Sequence, residues 1–152
     1  MITDIRDFLP LTDHLATAGQ PTCEQFSDIQ AAGYEVVINL VPFQNPNFLA
    51  GEPERVTALG LRYIGISVDW GNPTTEDIHC FFDVMDANRG KKVFVHCAAN
   101  KRASAFVFLY RVLRLNIDEA DAEDDMETIW RPEGTWRIFL NEMLSKKPQF
   151  IK

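Results

Sequence analysis

The sequence predicts an α/β fold: a three-layer sandwich with a central, mainly parallel β-sheet flanked by helices. Strand-like and helix-like segments alternate along the 152 residues, which is typical of parallel sheets with crossover helices. The run KVFVHC at residues 92–97 is almost wholly apolar, as expected of a central strand covered on both faces. Because 46% of the residues are apolar and no linker interrupts the chain, residues 1–152 are predicted to form one domain.

Capping residues and glycines mark the elements before this central strand. Thr22, with Gln25 three residues further on, forms a capping box that opens a short helix ending at Gly33. The other elements predicted in this part are helices at about 52–59, ended by Gly60, and from Thr74 or Thr75 to Arg89, ended by Gly90, and strands at 34–41 and 61–68.

Helices follow the central strand. Residues 101–115 are apolar nearly all round, so this helix is expected to pack deeply against the sheet. A more polar helix begins near Asp118, and Thr135 is predicted to cap a last helix that runs to about Lys146.

The charge of the chain argues against broad nucleic-acid binding. The net charge is −7, whereas nucleic-acid binding depends on Lys and Arg side chains that neutralise phosphates. The rest of the chain is nearly neutral, so a phosphorylated substrate can still be attracted locally. Seven clustered acids account for the whole imbalance: Asp118, Glu119, Asp121, Glu123, Asp124, Asp125 and Glu127.

The cysteines and the N-terminus indicate a soluble, cytoplasmic protein. Three cysteines cannot all pair, and no two have zinc-site spacing, so free thiols in a reducing compartment are expected. The N-terminus MITDIRDFLP has neither the basic start nor the apolar run of a signal peptide. No stretch is apolar over the length of a membrane span, so no membrane partner is predicted. The oligomeric state is left open.

The segment HCAANKRAS at residues 96–104 lies where an α/β sheet binds ligands. It joins the carboxyl end of the predicted central strand to the next helix, and amides at a helix N-terminus attract anions. The helix dipole favours the thiolate of a cysteine at this place, so Cys97 is a candidate nucleophile. Arg102 offers a fork of donors that matches phosphate oxygens, and Lys101 adds a positive charge. Together they predict an oxyanion site.

The alternative is that Cys97 is a small core residue at the end of a strand. A second His-Cys pair, His79-Cys80, lies inside a predicted helix without a basic loop after it, and Cys80 is interpreted as structural. Cys23 lies near the start of the first helix but has no central strand before it and no nearby arginine. It is predicted to be inert.

Several segments together resemble the cysteine-dependent protein phosphatases, and most closely the small bacterial DUF442 family. They are AGQPT (18–22), VINL (37–40), LRYIGISVDWGNP (61–73) and the VHC loop (95–97). The resemblance implies hydrolysis of phosphomonoesters, on a protein or a small molecule, in two steps. The thiolate attacks phosphorus while an arginine holds the phosphoryl oxygens, and phosphocysteine is then hydrolysed. Neither a metal nor a cofactor is implied.

On this resemblance Cys97 is the nucleophile and Arg102 the phosphate-binding arginine. Asp69, after the strand at 61–68, occupies the place of the acid that protonates the leaving oxygen, with an ordinary turn residue as the alternative. His96 is expected to orient the loop through hydrogen bonds to backbone. Ser104 either hydrogen-bonds the thiolate or assists breakdown of the intermediate, with an ordinary first-turn serine as the alternative. The phosphate-binding loop comprises His96, Ala98, Ala99, Asn100, Lys101, Ala103 and Ser104.

Only four residues separate Cys97 from Arg102, one fewer than in the phosphatase signature, so two alignments are possible. In the signature, a Ser or Thr directly follows the arginine. If the length of the signature is kept, Ser104 aligns with that Ser or Thr, Asn100 with a glycine and Ala103 with the arginine. Taking Arg102 as the phosphate arginine makes the loop tighter and gives Ala103 the place of the hydroxyl. We favour Arg102 because its charge is next to the loop in both alignments. Asn100 tolerates a positive φ in either.

The short loop leaves two other functions open. Cys97 to Arg102 spans six residues, and the sequence is similar in this respect to rhodanese-type sulfurtransferases, which carry sulfur as a cysteine persulfide in a loop of that length. A module that binds phosphate without turning it over is the third possibility.

Overall fold

The computed structural model describes residues 1–150 and has at its centre a five-stranded sheet in the order β1-β2-β5-β3-β4. β1 is antiparallel to β2, and the other three pairs are parallel. The predicted α/β class is confirmed. The strands are β1 (Leu9–Thr12), β2 (Leu15–Ala18), β3 (Val36–Asn39), β4 (Arg62–Gly65) and β5 (Val93–His96). The helices are α1 (Gln25–Ala31), α2 (Glu52–Ala58), α3 (Thr75–Ala87), α4 (Lys101–Leu113), α5 (Glu119–Glu127), α6 (Thr135–Ser145) and α7 (Lys147–Phe150).

β5 is the middle strand, as its apolar sequence predicts. All four of its residues are buried, and it pairs with β2 on one side and β3 on the other. Because side chains alternate across a strand, Val93 and Val95 join the core formed with α3, α4 and α6, whereas Phe94 joins the core formed with α1 and α2. These two cores make the three layers of the sandwich.

The predicted start and stop signals of the first helices are present. Thr22 and Gln25 exchange the two hydrogen bonds of a capping box, at 3.2 and 2.9 Å, although α1 itself begins only at Gln25. Thr74 caps α3 by accepting from the Asp77 amide at 3.1 Å. The turns after α1, α2 and α3 contain Gly33, Gly60 and Gly90 with φ of 92°, 83° and 86°, which only glycine adopts readily.

The structure differs from the predictions at both ends of the chain. The β1–β2 hairpin was not predicted, because β1 is half-exposed and contains Pro10, which is unusual within a strand. It adds β2 beside β5 and brings Gly19 next to the cysteine loop. At the other end, Gly134 and not Thr135 is the N-cap of α6.

The charged surface helix α5 packs against α4 and does not simply face solvent. Its acids form ion pairs with arginines from three places: Asp125 with Arg111, Glu123 with Arg137, and Glu127 with Arg131, at 2.8, 3.2 and 3.4 Å. Within residues 1–150, no helix combines the length and the apolar character needed to cross a membrane.

Candidate active site

The loop from Cys97 to Asn100 joins the carboxyl end of the middle strand to α4. Cys97 is 1% exposed, and its Sγ lies 3.5 Å from the Ala103 backbone N–H that is directed at it. The thiol therefore lies against the first turn of a buried helix, where amide dipoles stabilise negative charge.

Asn100 closes the short loop. Its φ of 62° places it in the left-handed region, which asparagine tolerates better than most residues. Its buried side-chain amide donates to the Asp7 carbonyl at 2.8 Å, and its carbonyl accepts the first helical hydrogen bond, from Ser104 N at 3.0 Å. These contacts hold the turn between Cys97 and α4.

The segment after β2 supports the loop from the side. Gln20 N donates to the Ala98 carbonyl at 2.9 Å, and Gly19 N donates to the Arg6 carbonyl at 2.8 Å. A Cβ on Gly19 would lie 2.8 Å from the Ala98 oxygen and 3.1 Å from the Arg6 oxygen. Both are backbone atoms, so only glycine fits at this position. This explains the glycine of the AGQPT segment.

A buried acid pairs with the histidine that precedes Cys97. His96 and Glu52 are both 0% exposed, and His96 Nε2 lies 2.6 Å from Glu52 Oε2. The other ring nitrogen, Nδ1, lies 3.2 Å from the Cys97 carbonyl oxygen. The predicted contact of His96 with backbone is therefore present. Glu52 was not singled out from the sequence, because an acid in the first turn of a helix normally has only a dipole role.

Arg102 is buried and faces the same cleft as Cys97. It is 5% exposed, and its Nη1 donates to the Val68 carbonyl at 2.9 Å. Among the described residues no carboxylate pairs with it within 4.0 Å. A guanidinium held by a neutral carbonyl keeps its charge available for an anion.

An open cleft of about 440 Å³ lies over the loop. The loop and the start of α4 line it with Cys97, Ala98, Ala99, Lys101 and Arg102. Trp70, Asn45 and Asn47 complete its lining.

Three tryptophans pack against one another, and one of them, Trp70, lines the cleft. The Lys101 ammonium lies 6.0 and 5.6 Å from the ring centroids of Trp70 and Trp130, within reach of cation–π attraction. Trp136 donates from its indole nitrogen to the Trp70 carbonyl at 2.9 Å. The positive charge of Lys101 is thereby held beside the cleft.

Two predicted site residues have other contacts. Asp69 is exposed, is not one of the cleft-lining residues, and accepts from the Gly71 N–H at 3.0 Å. The Ser104 hydroxyl donates to the Lys101 carbonyl and accepts from Trp130 Nε1, each at 3.1 Å. A hydrogen bond from Ser104 to the thiolate would require this proton to leave the Lys101 carbonyl.

The other two cysteines lie away from the cleft. Cys23 and Cys80 are both exposed, and neither is among the residues that line the cleft.

Residues 11–135 match the family described as PTP-NADK, DSP-PTPase phosphatase fused to NAD+ kinase. The chain belongs to this family. The matched range contains the cysteine loop, Glu52, the end of β1 and all of β2 to β5. The resemblance to cysteine-dependent phosphatases is thereby confirmed.

Solved structures place the chain in the same superfamily. A DUF442 phosphatase-family protein from Shewanella putrefaciens CN-32 is 38% identical, with 96% of both chains covered and a TM-score of 0.86. The core catalytic domain of the PP-IP phosphatase SIW14 from S. cerevisiae is 14% identical with a TM-score of 0.74 over 96% of both chains. This second similarity is one of fold.

A curated relative is much longer than this chain. The beta-lactamase hydrolase-like protein of Xylella fastidiosa is 32% identical over 117 residues, which are 74% of this chain and 27% of the relative. The chain thus spans about a quarter of that protein.

Proposed function

We propose that this domain hydrolyses phosphomonoesters through a cysteinyl-phosphate intermediate on Cys97. One observation carries the proposal: the Ala103 N–H is directed at Cys97 Sγ from 3.5 Å, and Cys97 lines the same cleft as the buried cation Arg102. This arrangement suits a thiolate and a phosphoryl group at the same place.

In the first step the Cys97 thiolate attacks phosphorus, and the bond from phosphorus to the leaving oxygen breaks as the S–P bond forms. Arg102 and loop amides hold the non-bridging oxygens, where negative charge is concentrated. Water then attacks phosphorus, the S–P bond breaks, and inorganic phosphate leaves while the thiolate is restored.

Asp69 is the candidate acid that gives a proton to the leaving oxygen in the first step, and its carboxylate takes a proton back from the attacking water in the second. Its backbone follows Val68, whose carbonyl holds Arg102, and it precedes Trp70 of the cleft wall. The carboxyl would have to leave the Gly71 N–H and turn toward the cleft, which a residue in an exposed loop can do.

The test compares wild type with Cys97→Ser on p-nitrophenyl phosphate, phosphopeptides and small phosphate monoesters. We expect Cys97→Ser to abolish turnover and Cys80→Ser, an exposed cysteine on α3, to leave it unchanged. Hydrolysis is rejected if wild type is no faster than Cys97→Ser on every compound.

Sulfur transfer is the second candidate, favoured by the six-residue span from Cys97 to Arg102. Here Cys97 would attack the outer sulfur of thiosulfate, the S–S bond would break with release of sulfite, and cyanide would take the sulfur as thiocyanate. Thiocyanate formation that depends on Cys97, without phosphatase turnover, would favour this function. Oxyanion binding without either reaction would indicate a binding module.

The free thiols of residues 23, 80 and 97 favour action in the cytoplasm.

A further inference from the structure

Gln20, Glu52 and His96 form one hydrogen-bonded network behind the cysteine loop. The Gln20 side chain donates to Glu52 Oε1 at 2.8 Å, and the other carboxylate oxygen lies 2.6 Å from His96 Nε2. The network holds two successive loop carbonyls, that of Cys97 through His96 Nδ1 at 3.2 Å and that of Ala98 through Gln20 N at 2.9 Å.

The partners of His96 determine how many protons the network holds. The Cys97 carbonyl can only accept, so His96 Nδ1 must carry a proton. The contact between Nε2 and Glu52 Oε2 needs a second proton between these two atoms. The buried pair is therefore an imidazolium with a carboxylate, or the tautomer with that second proton on Glu52. In both forms the pair has no net charge, so it adds no negative charge behind the thiolate.

The held carbonyls also orient the loop amides. In a trans peptide the C=O and the following N–H point in opposite directions. With the Cys97 and Ala98 carbonyls held on the side of His96 and Gln20, the N–H groups of Ala98 and Ala99 point away from that side. Ala98 and Ala99 line the cleft together with Cys97, where such amides can bind an anion.

We infer that Glu52 is a positioning residue for the cysteine loop: it keeps His96 protonated on Nδ1, and this proton holds the Cys97 carbonyl so that the loop amides face the anion. The inference rests on the proposed function of Cys97. Glu52 lies 45 positions before Cys97 in the sequence and on a different layer of the sandwich.

The described residues around the network include three aromatic side chains. Phe26 and Phe94 flank the His96 ring. From β4, Tyr63 approaches Glu52: burial raises the pKa of Tyr63 to about 12, and the Glu52 charge adds to this rise. Tyr63 therefore stays neutral over the range in which Cys97 is assayed. Cys97 and Arg102 lie on the cleft side of the loop.

The test measures alkylation of Cys97 and its protection by inorganic phosphate, in a Cys23→Ser/Cys80→Ser background. Glu52→Ala leaves His96 Nε2 without its buried partner, so we expect alkylation at neutral pH to slow about tenfold and phosphate protection to be lost. Glu52→Gln should restore both, because its amide nitrogen donates to Nε2, its oxygen still accepts from Gln20, and Nδ1 keeps its proton. Val56→Ala, at a fully buried residue of the same helix, controls for loss of stability and should leave both readouts unchanged.

A ring-nitrogen NMR measurement tests the geometry independently of Cys97. In wild type, we expect His96 to show a proton on Nδ1 at neutral pH, lost or exchanging rapidly in Glu52→Ala. The inference is overturned by a wild-type ring that lacks the Nδ1 proton, or by a folded Glu52→Ala with normal alkylation and phosphate protection. If wild-type Cys97 itself is not protected by phosphate, the proposed function fails, while the ring proton still decides the role of Glu52.

Discussion

The Arg102 guanidinium donates to the carbonyl of Val68 at 2.9 Å, and Val68 directly precedes Asp69. This hydrogen bond ties the first turn of α4 to the segment that follows β4. The bond thus connects Arg102, the predicted phosphate arginine, to the residue just before Asp69, the predicted acid. Arg102 and Asp69 are 33 residues apart in the chain.

Arg102→Lys should lower kcat/KM roughly 100-fold or more, because a lysine cannot give the planar fork of donors that a phosphoryl group accepts. Steady-state kinetics with p-nitrophenyl phosphate measures the loss. Arg111→Lys, on the same helix but paired with Asp125, is the matched control and should retain activity. Equal activity of the two variants would remove Arg102 from the site.

Asp69→Asn should slow hydrolysis of phosphate esters with poor leaving groups by about 100-fold and affect p-nitrophenyl phosphate much less. The reason is that p-nitrophenolate departs without a proton, whereas an alkoxide does not. An equal loss with both kinds of leaving group would contradict the assignment of Asp69 as the acid.

Gly19→Ala should destabilise the fold by about 1–3 kcal/mol and reduce Cys97 alkylation. The added methyl group would meet the backbone oxygens of Ala98 and Arg6, and relief requires the cysteine loop to move. Urea denaturation and alkylation rates measure the two effects. Gly65→Ala is the control, since its Cβ would meet only the Tyr63 side chain at an ordinary 3.6 Å.

Asp86→Asn should cost about 1 kcal/mol at neutral pH and much less in acid. Burial acts to raise the pKa of Asp86, but hydrogen bonds from Tyr110 and Arg89 and the charges of Arg114 and Arg89 outweigh it, so the pKa lies below its usual 3.8. A lowered folded-state pKa gives stability that is fully present above the unfolded value and is lost as the pH falls through the folded one. Denaturation of wild type and variant at neutral pH and below about pH 4 measures the difference in their free energies of unfolding. A difference that does not change with pH would contradict this account.

Local patterns are sufficient to predict much of the fold. The apolar run at 92–97 identifies the middle strand because only a strand covered on both faces dispenses with polar residues. Gly33, Gly60 and Gly90 end their helices as predicted. The hairpin of β1 and β2 is not predictable in this way, since its first strand is short, half-exposed and contains Pro10, and its pairing with β5 is a long-range contact.

The sequence by itself determined the α/β class, the family resemblance and the position of Cys97 between the middle strand and a buried helix, because strand burial and helix signals are local properties. Only the tertiary structure decided that Glu52 lies against His96, that Gly19 supports the loop, and that Trp130 contacts Ser104. These pairs are distant in sequence. Whether a charged side chain is buried against a partner depends on which helix packs on which face, and no local pattern contains that information.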